Sequence, residues 1–359
     1  DPQSVICCNN PAAFVESFAE IERAVKDGFY VAGFLSYEAG YCFEERLRVA
    51  KQYDFPLILM GVYKEPRFCR FTPPSTGWFT VSDFSLNISK EKYASHIEII
   101  RDHIAQGDVY QITYCIKFNF TFRGETKAFY SQLLRRQPIP YPAYIKTDKF
   151  SILSLSPERF INKVSTRVIT QPMKGTWPRG RNSFSDLVSR YRFSRDIKNR
   201  AENVMIADLL RNDLGRMGKN IHAPRLFTIT KYRTLYQMTS TVTGEVCRDI
   251  SLYDFFAALF PSGSVTGAPK IRAMEIIRKL ENEERKIYTG AIGYVAPNRN
   301  MYFNIPIRTL LISGESAEMG VGGGIVWDST AQGEWDEGML KAQFLNDLSL
   351  MSQRKDGSN

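Results

Sequence analysis

The stretch that decides the fold is YASHIEIIRDHIAQGDVYQITYCIKFNFTF, residues 93–122. Its first half places Ile97, Ile100 and Ile104 at helical spacing and ends at Gly107, a residue that often terminates helices. From residue 111 onward, apolar and other side chains alternate strictly, which is the period of a strand with one buried face. The stretch therefore predicts a helix followed by a half-buried strand.

The rest of the chain continues this mixture of helices and strands. Ser194 and Ser251 are suited to cap two further helices, Pro269 suits the first turn of a third, and a closing helix is expected after Glu334. Extended patterns predict strands at residues 150–155, 227–232, 239–246, 287–296, 301–312 and 318–322. We therefore expect an α+β fold with antiparallel strands.

Composition and charge narrow the class of protein. The 359 residues are 43% apolar and 24% charged, as in ordinary globular proteins, and no run of eighteen apolar residues or secretory leader is seen. The net charge of +9 raises the alternative of a basic nucleic-acid-binding protein. Lysine and arginine are dispersed among acidic residues, which instead favours a solvated mixed surface. We expect a cytoplasmic protein that binds neither membranes nor nucleic acid.

The cysteines and histidines exclude two kinds of site. The six cysteines form no C-x-x-C pair, and we expect them to be reduced. His96, His103 and His222 lie far apart in the sequence. This distribution argues against a zinc site and against a Ser-His-Asp mechanism.

The segment QPMKGTWPRG, residues 171–180, places a single lysine among residues that favour turns. An amine attacks carbon only when it is unprotonated, so a nucleophilic lysine needs surroundings that lower its pKa and a rigid backbone. Pro172 and Gly175 on either side of Lys174 supply such control. The alternative is a solvated lysine in a surface loop.

Further motifs accompany this segment between residues 107 and 341. They are GDVYQI (107–112), SPERF (156–160), EN (202–203), DLLRND (208–213), SGSVTGAPK (262–270), IRT (307–309), GGGIV (322–326) and EWDEGMLK (334–341). In residues and order, these motifs resemble those of the chorismate-utilising enzymes, and most closely the aminodeoxychorismate synthase component I branch. The resemblance implies the fold of that family, in which antiparallel β-sheets pack with helices in a layered sandwich.

The resemblance also implies a reaction and its partners. The enzyme would aminate chorismate with ammonia to 4-amino-4-deoxychorismate, on the route to 4-aminobenzoate and folate, with Mg²⁺ as cofactor. Ammonia would come from a separate glutamine amidotransferase subunit, because no Gly-x-Cys-x-Gly elbow is present. A separate aminodeoxychorismate lyase would act on the product. Anthranilate synthase component I, of tryptophan biosynthesis, is the alternative within the family.

The matching motifs assign roles to individual residues. Lys174 would form a covalent adduct with the substrate, and Glu158 would protonate the departing hydroxyl and later act as a base. Glu202 and Glu337 would bind Mg²⁺, with Glu334 in support. Substrate contacts would come from Gln111, Gly175, Thr176, Ser264, Tyr288, Arg308, Gly322, Gly323, Gly324 and Lys341. Taken singly, such residues also suit surface glutamates, hairpin glycines and ordinary salt bridges.

Two positions discriminate among family members, and three depart from the pattern. Isochorismate synthases carry a basic lysine where this chain has Gln111, and an amide cannot accept that proton. Anthranilate synthases carry alanine where Lys174 stands. The departures are Gln237 in place of a histidine, Tyr302 in place of an acidic residue, and Pro306 within an expected strand, where proline suits an edge or a bulge.

Residues 1–85 are interpreted as a shortened N-terminal portion interleaved with the main fold, and residues 86–359 as the chorismate-binding catalytic portion. Between them, Thr72–Gly77 resembles a linker. The Leu-Leu-Glu-Ser element that binds tryptophan in anthranilate synthases is missing, so feedback inhibition by tryptophan is not expected.

Overall fold

The computed structural model of the protein describes residues 1–67, 77–136, 139–232 and 235–342. Within these ranges the helices are α1 (Phe14–Lys26), α2 (Ala39–Cys42), α3 (Lys90–Ala105), α4 (Thr126–Arg136), α5 (Ser183–Arg195), α6 (Ile197–Gly215), α7 (Leu252–Leu259), α8 (Lys270–Leu280) and α9 (residues 331–342). None of these described helices is both long enough and apolar enough to cross a membrane.

The strands fall into two sheets. In chain order they are β1 (Ser4–Cys8), β2 (Tyr30–Leu35), β3 (Ile58–Tyr63), β4 (Phe79–Leu86), β5 (Gln111–Gly124), β6 (Tyr141–Lys146), β7 (Ser151–Ser156), β8 (Arg159–Val164), β9 (Arg167–Gln171), β10 (Met173–Pro178), β11 (Gly218–Lys231), β12 (Leu235–Val246), β13 (Gly267–Ala268), β14 (Ala291–Val295), β15 (Met301–Asn304), β16 (Thr309–Ser313) and β17 (Ser316–Ile325). The larger sheet has the order β1-β3-β2-β14-β15-β8-β9-β12-β10, with β11 also on β12. The smaller sheet has the order β13-β5-β17-β16-β7-β6, with β4 also on β5.

The two sheets pack face to face between layers of helices. Phe34 of β2, Ile152 of β7 and Leu311 of β16 belong to one buried cluster that joins the sheets. A second cluster packs the larger sheet against α1, α6 and α7, and a third packs the smaller sheet against α3, α4 and α8. The α+β prediction of antiparallel sheets in a layered sandwich is confirmed.

Strand β5 differs from its prediction in one respect. The helix and strand of residues 93–122 are present, but β5 is buried on both faces over most of its length. The segment after α8 covers its polar face, where Arg285 donates a hydrogen bond of 2.7 Å to the carbonyl of Thr113. The side chain of Lys117 pairs with Glu318 at 2.9 Å. The alternation of side chains predicts which face of the strand is polar. It cannot predict that a distant segment covers this polar face and that ion pairs form there.

Helix caps were predicted with mixed success. Ser251 caps α7 as expected, since its side chain accepts the backbone N–H of Asp254. The prediction that Ser194 caps the next helix is wrong, because Ser194 lies in the last turn of α5. Asp196 caps α6 instead, by accepting the N–H of Asn199 at 2.8 Å. Serine and aspartate both cap helices. Asp196 is the cap here because α5 continues through Ser194 and ends at Arg195.

Residues 301–312 do not form the single continuous strand that was predicted. The chain forms β15 in the larger sheet, leaves it, and forms β16 in the smaller sheet. Pro306 lies in the connection between them, where its missing N–H costs no ladder bond, and not at the edge or bulge that the sequence suggested. Arg308 follows in the left-handed region with φ of 52°. The crossing therefore places Arg308 where the chain passes from one sheet to the other.

The first 63 residues contribute three strands to the larger sheet. Strand β2 pairs with β3 on one side and with β14 on the other. The N-terminal strands thus share a sheet with strands from the last third of the chain. A boundary at residue 85 stays a prediction. The predicted linker Thr72–Gly77 lies outside the described residues, except for Gly77.

Candidate active site

A β-bulge presents Lys174. The register of β10 against β12 shifts between Met173 and Thr176, so that Lys174 and Gly175 together oppose a single residue of β12. Such bulges redirect side chains and are frequent beside active sites. Gly175 has φ of 93°, and a Cβ there would lie 2.6 Å from Oδ1 of Asn199. This position therefore requires glycine, and the bulge fixes the direction of the lysine.

A buried amide on α6 holds the bulge in place. Nδ2 of Asn203 donates hydrogen bonds of 3.3 Å to the carbonyl of Lys174 and to that of Met238. The hydroxyl of Ser240 donates to Oδ1 of the same amide. Sequence reasoning gave Asn203 no role, although it adjoins Glu202 in the EN motif. Its adjacency to a proposed metal ligand was the available signal.

The surroundings of Lys174 suit a nucleophile. Desolvation lowers the pKa of its amine, while the carboxylates of Glu202 and Glu158 oppose that shift. Desolvation therefore favours the unprotonated form of the amine, which is the form that can attack carbon. The nearby carboxylates can receive or return protons during a reaction.

Glu158 lies in the short connection between β7 and β8, and only 2% of it is exposed. Its Oε1 accepts a hydrogen bond of 2.7 Å from the hydroxyl of Ser264 and one of 3.3 Å from the N–H of Met173. Burial outweighs these bonds and raises the pKa of Glu158 to about 7. A carboxyl group of this pKa is partly protonated at neutral pH and can donate its proton, as general acids do.

The side chains of Gln111 and Lys174 both lie next to Gly324 of β17. A Cβ at Gly324 would lie 1.9 Å from Nε2 of Gln111 and 3.0 Å from Nζ of Lys174. The glutamine is fully buried, and neither its amide nitrogen nor its amide oxygen has a hydrogen-bond partner among the described residues. Buried amides are rarely left unpaired in proteins. A polar ligand bound over Gly324 would satisfy this one.

Three carboxylates, one from α6 and two from α9, lie near enough to influence one another's ionisation. Burial raises the pKa of Glu202, and the charges of Glu334 and Glu337 raise it further. Burial also raises the pKa of Glu334. The carboxylate of Glu337 is half exposed, and its pKa is lowered chiefly by Lys341, 2.8 Å away. This concentration of negative charge favours a bound cation.

Lys341 and Glu334 tie α9 to the rest of the site. Nζ of Lys341 donates a hydrogen bond of 2.7 Å to the carbonyl of Gly322. The hydroxyl of Ser329 donates to Oε1 of Glu334 at 2.7 Å, and Oε2 of Glu334 lies over Gly323, 2.7 Å from the position of a Cβ there. The glycine run therefore lets both side chains of α9 approach the backbone of β17.

The chemistry of two of these carboxylates suits Mg²⁺. Within the described parts of the chain, no group of three or more His, Cys, Asp or Glu residues is arranged to hold a metal. Mg²⁺ needs fewer protein ligands than this, because it is commonly bound through one or two carboxylates and keeps several waters. Glu202 and Glu337 supply hard oxygen donors from two helices, and a dication would relieve their repulsion.

Arg308 and Tyr288 stand apart from this cluster. Arg308 is half-buried, and desolvation lowers the pKa of its guanidinium. No acidic side chain among the described residues forms an ion pair with it. Tyr288 is buried, with its ring against Gly320 and a hydrogen bond between its phenol and the side chain of Cys115. No hydrogen bond or ion pair within the described ranges joins either side chain to Lys174. Arg308 is nevertheless a cation with no acidic partner in the part of the chain that the structure describes.

Gln237 and Thr176 face each other across β12 and β10. Thr176 is exposed on the bulged strand, whereas Gln237 is buried and its amide oxygen lacks a hydrogen-bond partner among the described residues. An amide cannot act as a base at neutral pH. The strand opposite the lysine therefore offers no proton acceptor at this position.

Comparisons with known proteins identify the family of the chain. The family model described as chorismate binding enzyme matches residues 8–347. The chain therefore belongs to the chorismate binding enzyme family.

Relatives in this family carry two different names. The chain is 38% identical over 269 residues to aminodeoxychorismate synthase component 1 of Klebsiella aerogenes, which covers 74% of this chain and 60% of that protein. It is 36% identical over 261 residues to anthranilate synthase component 1 of Aquifex aeolicus, which covers 72% of this chain and 53% of that protein. The chain thus spans little more than half the length of these relatives.

Solved structures give the same fold. Anthranilate synthase component I from Streptococcus pneumoniae superposes with a TM-score of 0.77 at 27% identity, covering 88% of this chain and 80% of that one. The menaquinone-specific isochorismate synthase of Escherichia coli superposes with a TM-score of 0.74 at 16% identity, covering 96% and 83%. At that identity the second comparison shows the fold alone.

Proposed function

We propose that this chain is an aminodeoxychorismate synthase component, which uses ammonia to convert chorismate into 4-amino-4-deoxychorismate for 4-aminobenzoate and folate. The observation that carries the proposal is that Lys174 and Glu158 lie close enough for the charge of each to shift the pKa of the other. The first residue is a lysine whose pKa is lowered, and the second is a carboxyl group whose pKa is raised to about 7. The two groups therefore favour the protonation states that a nucleophile and an acid require.

In the first half of the reaction, the neutral amine of Lys174 attacks carbon 2 of chorismate. The electron pairs of the two ring double bonds shift, and the bond between carbon 4 and its hydroxyl breaks. Glu158 donates its proton to the departing oxygen, which leaves as water. The substrate is then held on Lys174 through a carbon–nitrogen bond.

In the second half, ammonia adds to carbon 4 and the ring electrons shift back. The bond between carbon 2 and Lys174 breaks, which restores the neutral amine. The carboxylate of Glu158 takes one proton from the added nitrogen and regains its starting state. Chorismate and ammonia thus give 4-amino-4-deoxychorismate and water. Because Lys174 occupies carbon 2 during the exchange, ammonia is directed to carbon 4.

Binding of the substrate would use the other side chains of the candidate site. Arg308 supplies a guanidinium for a substrate carboxylate, and the amide of Gln111 supplies hydrogen bonds over Gly324. Mg²⁺ held by Glu202 and Glu337, with Glu334 in support, would neutralise the ring carboxylate. Ammonia would come from a separate glutamine amidotransferase subunit, and a separate lyase would remove pyruvate from the product.

Anthranilate synthase component I is the second candidate, because the relatives include proteins of that name at 36% and 27% identity. That reaction delivers ammonia to carbon 2 and then needs a base for aromatisation. Lys174 would block carbon 2, and Gln237 offers no base. Both residues favour the first proposal.

Mass spectrometry of the intact protein tests the covalent step. Incubation with chorismate and Mg²⁺, without ammonium, should give the wild-type chain an added mass of dehydrated chorismate. Lys174→Ala should show no added mass, whereas Lys219→Ala, which changes an exposed lysine of β11, should behave like the wild type. Full aminodeoxychorismate synthesis by Lys174→Ala with ammonium would show that the nucleophile is wrongly assigned.

A further inference from the structure

Residues 260–269, here called the serine loop, connect α7 with α8 and carry most of the SGSVTGAPK motif. All of them except Pro269 are buried. At the start of α8, Nζ of Lys270 donates a hydrogen bond of 3.1 Å to the carbonyl of Leu259, at the end of α7. The same ammonium group lies 2.7 Å from Oδ2 of Asp213 on α6. Lys270 therefore closes the serine loop and joins it to α6.

Helix α6 contacts the serine loop at two points that are one turn apart. A Cβ at Gly263 would lie 2.3 Å from Cδ2 of Leu209, so glycine lets this leucine pack directly on the backbone of the loop. Asp213 follows Leu209 by four residues and therefore lies on the same face of α6. Its ion pair with Lys270 is the second contact of that face. Together the two contacts fix the position of the serine loop along the axis of α6.

The serine loop carries the hydrogen-bond donor to the proposed acid. Ser264 follows Gly263, and its hydroxyl donates to Oε1 of Glu158 at 2.7 Å. The hydroxyl of Ser262 lies 3.0 Å from that of Ser264, and all three of these side chains are buried. The charge of Lys174 also acts on Glu158. A shift of the loop along α6 would therefore lengthen the bond that Glu158 accepts.

The same helix also holds the proposed nucleophile. Nδ2 of Asn203 donates a hydrogen bond of 3.3 Å to the carbonyl of Lys174. Asn203 and Asp213 are ten residues apart, which corresponds to about 15 Å along a helix. One rigid element thus contacts the strand of the nucleophile near one end and the loop of the acid near the other.

Stability alone is a weak reason for the ion pair between Lys270 and Asp213. The two side chains are only 12% and 5% exposed, so both charges are largely removed from water. The charges of Arg216 and Glu44 also act on Lys270. Replacing a buried ion pair by apolar side chains of similar volume is often neutral or stabilising. A role in fixing geometry therefore accounts better for the pair.

We propose that Lys270 and Asp213 are positioning residues of the reaction, whose ion pair fixes the serine loop on α6 so that Ser264 holds Glu158 in place relative to Lys174. The inference rests on the proposed function, since it assumes that Glu158 acts as the acid. The ion pair acts through Ser264 and transfers no proton itself. Its removal should therefore impair the chemical step more than the binding of substrate.

The test replaces the ion pair without leaving an unpaired buried charge. Lys270→Met combined with Asp213→Leu should melt at or above the wild-type temperature. With chorismate, Mg²⁺ and ammonium, kcat of this double variant should fall by about tenfold or more, because the acid is misplaced, while KM for chorismate changes much less. The matched control is Glu22→Leu with Arg299→Met, which removes a largely buried ion pair of 2.7 Å between α1 and the connection from β14 to β15. The control should keep the wild-type kcat.

The ionisation of Glu158 is a second readout that requires no reaction. Urea unfolding of each protein and of its Glu158→Gln counterpart, compared across pH, locates the pH at which this carboxyl group ionises. Burial raises the pKa of Glu158, and the hydrogen bond from Ser264 lowers it. Loss of that bond should therefore move the ionisation to higher pH in the double variant, whereas the control should match the wild type.

Three results would overturn the positioning role. They are a double variant in which Glu158 ionises at the wild-type pH, a double variant that melts well below the wild type, and a control that loses as much kcat as the double variant. A wild-type protein that does not aminate chorismate would instead overturn the proposed function. The ionisation of Glu158 in the double variant would still decide whether the ion pair positions this carboxyl group.

Discussion

Glu158→Gln should make the protein more stable at alkaline pH while abolishing its turnover. Burial raises the pKa of this carboxyl group from an ordinary 4.5 to about 7 in the folded state. The folded protein therefore keeps a proton that the unfolded chain has already lost. Its stabilising effect is complete below pH 4.5 and is lost as the pH rises through 7. Glutamine does not titrate, and its Oε1 can still accept the bonds from Ser264 and Met173.

The size of this effect follows from the pKa. Each pKa unit is worth about 1.4 kcal/mol, so the variant should gain roughly 2 to 3 kcal/mol over wild type between pH 5 and pH 8. Urea unfolding of both proteins across this range measures the difference, in which the titrating groups that do not interact with Glu158 cancel. Glu20→Gln, on the exposed face of α1, reports the effect of losing a surface carboxylate. A difference between wild type and Glu158→Gln that is the same at pH 5 and pH 8 would refute the reasoning.

Two further predictions concern the side chains of the candidate active site. Gly324→Ala should lower turnover by about 100-fold, because a Cβ 1.9 Å from Nε2 of Gln111 must displace that amide from its place beside Lys174. Steady-state kinetics measure the loss, and a thermal melt close to that of wild type would show that the fold is kept. Glu202→Gln and Glu337→Gln should each raise the Mg²⁺ concentration needed for half-maximal turnover. A Mg²⁺ titration that is unchanged in both variants would contradict the proposed ligands.

Local patterns predicted the elements whose character is set locally. The isoleucine spacing of α3 and the alternation of β5 identified a helix and a strand correctly, and Ser251 identified a cap. The patterns failed where a segment distant in the sequence determines the burial or the pairing of a strand. The polar face of β5 is buried by Arg285, which lies far along the chain. The continuous strand expected at residues 301–312 is divided between two sheets, an outcome that no local period encodes.

The candidate site shows the same division. The motif around Lys174 predicted a rigidly held lysine, and the bulge at Gly175 agrees with that expectation. The amide of Asn203 that holds the bulge was not predicted, because its partners are carbonyls on β10 and β12. Backbone carbonyls carry no sequence signature. The assigned roles of the site residues stay predictions until variants are assayed.

The product of the reaction tests the central claim most directly. Purified protein would be incubated with chorismate, Mg²⁺ and ammonium in the absence of any lyase, and the products separated by chromatography and identified by mass spectrometry. We predict 4-amino-4-deoxychorismate that keeps its enolpyruvyl group, with no release of pyruvate, because in the proposed reaction Lys174 occupies carbon 2 and Gln237 cannot remove a proton there. Anthranilate and free pyruvate as the main products would contradict this account and favour anthranilate synthase.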